Sequence, residues 1–97
     1  MDKKDAYEAR MQARLDELKA DIDKMRAQAE RLAAEAKMKH HEDIEELESR
    51  RHALERKLKE AREAGTDAWE TLRGGVDSAW DELKRSWDEA AKRLLGR

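Results

Sequence analysis

Residues Asp67–Leu72, with the sequence Asp-Ala-Trp-Glu-Thr-Leu, return eleven residues later as Ser78–Leu83, with the sequence Ser-Ala-Trp-Asp-Glu-Leu. Eleven residues make about three helical turns, so this repeat lays apolar side chains along one wide stripe of a helix. An aromatic stripe on a strongly charged chain must be covered, either by other helices or by lipid. All three tryptophans belong to this tryptophan stripe, which comprises Trp69, Leu72, Val76, Trp80, Leu83, Trp87, Ala91 and Leu94.

The composition is typical of long helices rather than of a globular core. The chain has 97 residues, enough for one domain, and 47% of them are charged. Its 22 basic and 24 acidic residues nearly cancel, and phenylalanine is absent. Abundant Ala, Glu, Lys, Leu and Arg with a helical apolar period indicates a coiled coil or a long helix. Because large apolar side chains are few, we expect the chain to self-associate rather than to fold as a monomer.

Charge and cysteine content limit the expected partners and location. Residues 1–64 carry 17 acids and 16 bases, and residues 65–97 carry 7 and 6, so neither part resembles a basic nucleic-acid-binding tail. Cysteine is absent, which suits a reducing compartment, and no run approaches the roughly 20 apolar residues of a membrane span. We therefore expect a cytoplasmic protein, peripheral to membranes if the tryptophan stripe meets lipid.

A second apolar stripe runs through the first third of the chain. Its spacings of three and four form a heptad seam, and no proline interrupts it. The pattern predicts a helix that begins near Asp5, with Asp2 as the alternative N-cap. This N-terminal stripe consists of Tyr7, Met11, Leu15, Leu18, Ile22, Met25, Ala29, Leu32 and Ala36.

The stripe then passes through His40. Here two spacings of four residues occur in succession, from Ala36 to His40 and from His40 to Ile44. It resumes at Ile44, Leu47, Arg51, Leu54, Leu58 and Ala61. Such a stutter locally unwinds a coiled coil, and because no glycine or proline accompanies it, we interpret residues 5–64 as one long helix. The alternative is a three-helix chain with a break near Lys39–Asp43. His40 and Arg51 would form polar layers in the core.

Gly65 marks the predicted turn, since glycine is common at the position that follows a helix end. A second helix should run over about 67–95, weakened but not ended by Gly74 and Gly75, and should stop before Gly96. The division is thus 1–64 for the long coiled-coil helix and 65–97 for the helix with the eleven-residue repeat, together one structural unit.

The lengths of the two helices predict the assembly. They would measure roughly 90 Å and 45 Å, so the shorter one, folded back as an antiparallel hairpin, would cover only about residues 36–64. The stripe from Tyr7 to Leu32 would remain uncovered within the chain. We therefore predict an all-α oligomer, an antiparallel dimer of hairpins above all. The self-association seam would be Tyr7, Met11, Leu15, Leu18, Ile22, Met25 and Leu32, and the hairpin or partner anchors Trp69, Leu72, Val76, Trp80, Leu83 and Trp87.

Metal binding and catalysis have weak support. His41, Glu45, Glu48 and His52 share one helix face and could ligate Zn²⁺ or Cu²⁺, although a solvated charged face explains them better. The chain contains no phosphate-binding loop and no nucleophile arrangement typical of an enzyme. We expect no catalytic residue and no cofactor.

The C-terminal pattern DAWExLxxGVxxAWDxL over Asp67–Leu83 resembles the signature of short bacterial coiled-coil proteins of uncharacterised function. Asp5–Tyr7 and Ile44–Leu47 also look like that group. The resemblance implies a bacterial, largely helical protein and no assigned site. The eleven-residue period is also similar to that of apolipoprotein-like helices.

The sequence therefore predicts a non-enzymatic coiled-coil scaffold or accessory subunit that binds itself, and another protein, through apolar stripes. The alternative is a peripheral membrane protein whose tryptophan stripe enters the lipid surface in a stress or lipid-surface role. The choice depends on what covers the tryptophans.

Overall fold

Three helices of nearly equal length make up the structure, a computed structural model that describes residues 2–96 except for the Leu95 side chain. They are α1 (Lys3–Ala29), α2 (Ala34–Glu63) and α3 (Thr66–Leu95). At 1.5 Å per residue each is roughly 40–45 Å long, which matches the 50 × 20 × 20 Å dimensions of the molecule. The expected all-α class is confirmed, but the predicted long helix is divided into α1 and α2.

The helices run up, down and up. Lys4 Nζ donates to the carbonyl oxygens of Arg62 and Ala64 at 3.0 and 2.9 Å, which joins the start of α1 to the end of α2. Arg93 Nε lies 3.2 Å from Asp43 Oδ2 and joins the end of α3 to the N-terminal third of α2. Helix α2 is therefore antiparallel to both neighbours, and α1 and α3 run parallel.

The prediction of one helix over residues 5–64 is wrong, because the chain turns at residues 30–33. The alternative break near Lys39–Asp43 is also wrong, since that segment lies inside α2. The turn contains no glycine or proline, and Ala33 caps α2 without a side-chain hydrogen bond. Local sequence therefore does not force the break. The burial of apolar side chains explains the break, because folding back lets α1 pack its apolar stripe against α2 and α3. Such packing routinely overrides helix propensity.

The N-terminal stripe lies in the core rather than on an oligomer surface. Leu15 and Ile22 are fully buried, and of the seam residues Leu32 alone is partly exposed. The expectation that this stripe stays uncovered within the chain is wrong, so the main reason for predicting an oligomer is removed. The buried apolar set from α1 and α2 is Tyr7, Met11, Leu15, Leu18, Ile22, Met25, Ala29, Ile44, Leu47, Leu54, Leu58 and Ala61.

The helix ends agree with the sequence in part. Helix α1 is capped by Asp2, whose carboxylate accepts from the Asp5 N–H at 2.8 Å, so the alternative cap is the correct one. The turn at Gly65 is confirmed, but Gly65 is extended (φ −70°, ψ 169°) and is itself the N-cap of α3. Helix α3 is continuous through Gly74 and Gly75 and ends before Gly96, which is left-handed at φ 70°.

Leu15→Ala tests the burial of α1. The substitution should lower the free energy of unfolding by about 2–5 kcal/mol, because it leaves a cavity in the core. Met38→Ala is the matched control, since Met38 is 73% exposed, and it should change stability by less than about 0.5 kcal/mol. Chemical denaturation measures both. A cost for Leu15→Ala as small as that of the control would contradict the fold.

Gly74→Ala and Gly75→Ala should each stabilise the protein by roughly 0.5–1 kcal/mol, because alanine has the higher helix propensity. A Cβ atom at either position meets nothing within 4 Å. Thermal unfolding measures the gain. Gly96→Ala should give none, since its left-handed backbone disfavours a side chain. Destabilisation by either helical substitution would mean that these positions are covered in solution.

Candidate interaction surface

The tryptophan stripe faces the bundle and is buried unevenly. Trp69, Val76 and Leu83 recur every seven residues and are 5%, 0% and 1% exposed. Leu72, Trp80 and Trp87 pack against the same core but remain partly exposed. Helix α3 therefore uses one edge of its stripe for the core and leaves Trp80 and Trp87 near the surface.

Helix α3 packs far more extensively on α2 than on α1, and two cavities open between α1 and α3. At the N-terminal halves of these two helices lies an open cavity of about 530 Å³ whose charged lining includes Lys3, Arg10, Arg14 and Arg73. A smaller cavity of about 120 Å³ continues it toward Trp80. Arg14 borders both cavities, so they form one surface, which we call the basic groove.

Aromatic rings hold two of the arginines in the groove. The Arg73 guanidinium carbon lies 5.8 Å from the ring centre of Tyr7 and 5.5 Å from that of Trp69. The Arg14 guanidinium carbon lies 5.9 Å from the Trp80 ring centre. These distances are within the range of cation–π attraction, which restricts the side chains while their N–H groups remain available to an anion.

Tyr7 joins α1 to α3 beneath these arginines. Its ring meets Trp69 edge to face, with the centroids 6.0 Å apart. Its hydroxyl donates to Asp77 Oδ1 at 2.6 Å. Burial raises the pKa of the Tyr7 hydroxyl well above its ordinary value, and the hydrogen bond and charge of Asp77 raise it further. Tyr7 therefore remains a neutral donor that fixes the parallel pairing of α1 and α3.

The charge of the groove differs from that of the chain, whose net charge is −2. Four cationic side chains line the N-terminal cavity together with one carboxylate, that of Asp77. The smaller cavity adds Lys84 but also Glu17 and Asp21. Positive charge is thus concentrated at the N-terminal end of the groove. The rest of the groove carries both acidic and basic side chains and includes Trp80.

Arg51 is the second polar feature of the core, and the expected polar layer forms there. It is 5% exposed and bonds Glu48 Oε2 at 2.7 Å and Glu55 Oε1 at 2.5 Å. Burial alone would lower the pKa of Arg51, but the two carboxylates outweigh it and raise the pKa. His40 is only partly buried, at the first turns of α2. The charge of the buried arginine is therefore compensated within its own helix, whereas its Nε has no hydrogen-bond partner among the described residues.

Two of the four metal candidates, Glu45 and Glu48, already pair with arginine side chains. The Arg26 guanidinium lies 3.2 Å from Glu45 Oε1 and 3.6 Å from Glu48 Oε1, and Arg51 bonds the other Glu48 oxygen. His41 and His52 are exposed beside them. Across residues 2–96, no three histidine, aspartate or glutamate side chains converge as a metal site would require. The hypothesis of a Zn²⁺ or Cu²⁺ site gains no support.

The apolar residues that the sequence singles out on α3 belong to the core or pack against it, but the sequence did not predict the basic groove. Arg10, Arg14 and Arg73 each lie beside a stripe position, where a base ordinarily belongs to a solvated face. Their apposition arises only when α1 and α3 run parallel. One signal was present in the sequence: Arg73 precedes Trp80 by seven residues, which places a base and a ring on the same edge of α3.

Comparison of the chain with protein-family models, with curated proteins and with solved structures finds no match. Within the described part of the chain, no helix is long and apolar enough to cross a membrane.

The Arg51 layer makes stability depend on pH. Burial alone would raise the pKa of Glu48, but Arg51, with Arg26 and His52, lowers it below the ordinary value near 4.5. A carboxylate with a lowered folded-state pKa stabilises the fold above its unfolded pKa, and this stabilisation is lost as the pH falls through the folded value. The stability difference between wild type and Glu48→Gln should therefore be largest above about pH 5 and shrink below about pH 4.

Urea denaturation across this pH range measures the difference. Glu63→Gln, at an exposed position of α2, is the control and should leave the pH dependence unchanged. A Glu48→Gln protein that loses stability on acidification as steeply as wild type would contradict the role of this ion pair.

Proposed function

We propose that the protein is a non-enzymatic helical scaffold or accessory subunit that binds another protein through the basic groove. The observation that supports this proposal best is the open α1–α3 groove, in which Arg14 and Arg73 are stacked on aromatic rings. Oriented guanidinium groups beside partly exposed tryptophan are typical of binding hot spots. The partner we propose is an amphipathic helix with acidic residues at one end.

The shape of the groove favours a helix as the bound element. Parallel helices α1 and α3 border two neighbouring cavities, between residues 3–21 of α1 and residues 73–84 of α3, whereas each helix packs closely on α2. A fourth helix placed there would complete a four-helix bundle and cover Trp80, which lines the smaller cavity and is partly exposed. Such docking would bury an apolar ridge of the partner against Trp80, which is a common form of helix recognition.

The charge of the groove favours an acidic partner. The N-terminal cavity presents Lys3, Arg10, Arg14 and Arg73 against the single carboxylate of Asp77. Arginine forms two parallel hydrogen bonds with a carboxylate, so Asp or Glu on the partner would gain orientation as well as attraction. The half of the groove that contains Trp80 also contains Glu17 and Asp21. The acidic residues of the partner therefore belong at the one end of its helix that meets the arginine-rich cavity.

The alternative, insertion of the tryptophan stripe into lipid, has less support. Trp69 is 5% exposed and packs against Tyr7, and Trp80 and Trp87 lean on the core. Of the side chains that the structure describes, Met38 is the large apolar one left mostly exposed. Insertion would require α3 to leave the bundle and uncover Val76 and Leu83.

The proposal is tested with two synthetic amphipathic helices that share an apolar face and carry acidic or basic residues at one end. The acidic peptide should bind more tightly, and Arg14→Glu should weaken its binding at least about tenfold, because attraction becomes repulsion. Raising the ionic strength should weaken binding too. Fluorescence anisotropy of the labelled peptides measures the affinities.

Lys59→Glu is the matched control, since it makes the same charge change at an exposed position of α2. It should leave the affinity within about twofold of wild type. Equal affinity for both peptides, or equal weakening by Arg14→Glu and Lys59→Glu, would contradict the proposal. Binding of anionic phosphatidylserine vesicles with loss of the bundle, without peptide binding, would favour the lipid alternative.

A further inference from the structure

The turn between α1 and α2 departs little from a helix. Glu30 keeps helical angles (φ −62°, ψ −21°). The N–H groups of Arg31 and Leu32 still bond to the carbonyl oxygens of Gln28 and Ala29, three residues back. The N-cap Ala33 is extended at ψ 154° and makes no side-chain cap. The turn thus contains no residue that requires the chain to reverse there.

The apolar pattern continues across this turn as though the helix were straight. Met25, Ala29, Leu32, Ala36 and His40 keep spacings of three and four. In a continuous helix these positions share one face, joined to the stripe of α1 on one side and to that of α2 on the other. The same sequence therefore suits both a turn and an uninterrupted helix.

We propose that residues 30–33 form a hinge, and that the chain exchanges α1 with a second copy of itself when the hinge straightens. Helices α1 and α2 would then form one helix of about 60 residues, and α3 would remain on α2 through the turn at Gly65. Helix α1 of each copy would pack on the α2–α3 hairpin of the other. The product is an antiparallel dimer, and it does not depend on a partner in the basic groove.

The second copy is the occupant that fits, because it supplies the core already formed in the monomer. Leu15, Ile22 and their neighbours would meet the same residues of α2 and α3, contributed by the other chain. Exchange of an identical element is a low-cost route to a closed dimer. The hinge would also gain helical hydrogen bonds that the turn lacks.

One ion pair distinguishes the two states. Lys37 Nζ lies 2.6 Å from Glu30 Oε2 across the turn. In a straight helix the two residues would be about 10.5 Å apart along the axis, so the pair would break. Both side chains are more than two-fifths exposed, so this pair opposes opening only weakly. Protein concentration therefore sets the balance, and the dimer should appear near the millimolar effective concentrations typical of short linkers.

Ala34→Pro tests the hinge. Ala34 is the first residue of α2 and follows an extended Ala33 (φ −62°, ψ 154°), which is the conformation that a following proline requires. The variant should fold as the monomer. In a straight helix the same proline would remove a hydrogen bond and clash with the preceding turn, so dimerisation should weaken at least about 100-fold.

Refolding the full chain at about 10 μM and about 1 mM, followed by light scattering, measures the dimer fraction well below that effective concentration and close to it. Thr66→Pro is the matched control, since Thr66 is the first residue of α3 and follows an extended Gly65. It should dimerise like wild type. A wild type that stays at 11.3 kDa at both concentrations, or an Ala34→Pro protein that dimerises equally well, would overturn the proposal.

Spin labels on Lys3→Cys and Glu63→Cys of the same chain identify the kind of dimer. In the monomer both sites lie at one end of a bundle about 20 Å wide. In the exchanged dimer, diluted with unlabelled chain, they should be roughly 90 Å apart. A dimer whose labels remain at the monomer distance would be a side-by-side dimer and would overturn the exchange.

Discussion

Covering the apolar stripe of α1 is the constraint on which the rest of the structure depends. A straight helix over residues 3–63 would leave Leu15 and Ile22 without a partner in the chain, whereas a turn at residues 30–33 buries both completely. Burying a side chain of this size stabilises the fold by about 1.5–3 kcal/mol, and several are buried together. That gain outweighs the few helical hydrogen bonds lost at the turn. The parallel placement of α1 beside α3, and hence the basic groove, follows from it.

The basic groove, through which we propose that the protein binds a partner, is built on residues of the core. Tyr7 and Trp69 tie the first turns of α1 and α3 together, and Arg73 stacks on both rings. The same aromatic residues thus belong to the core and orient the guanidinium groups that we propose meet a partner. A substitution at Tyr7 would therefore affect both folding and the proposed recognition. A substitution at the exposed Arg14 would affect the proposed recognition alone.

Elements that depend on local pattern were predictable from the sequence. The heptad spacing predicted the buried faces of α1 and α2, and Gly65 predicted the turn before α3. The eleven-residue repeat predicted the buried face of α3 only in part, because Trp80 and Trp87 remain partly exposed. The turn between α1 and α2 was not predictable in this way, because Glu30–Ala33 contains only residues compatible with a helix. Its signal is global, since residues 3–63 divide into two segments whose lengths match that of α3. The basic groove was missed because Arg14 and Arg73 meet only after the chain has folded.

Small-angle X-ray scattering from dilute protein tests the central claim most directly. A three-helix bundle should give a radius of gyration close to the 15.5 Å of the Cα atoms and a longest dimension near 50 Å. A hairpin built on an unbroken helix over residues 5–64 would extend to roughly 90 Å, with a radius of gyration of about 25 Å or more. The smaller values would establish that α1 folds back on α2 and α3. The larger ones would contradict the buried stripe, the basic groove and the hinge together.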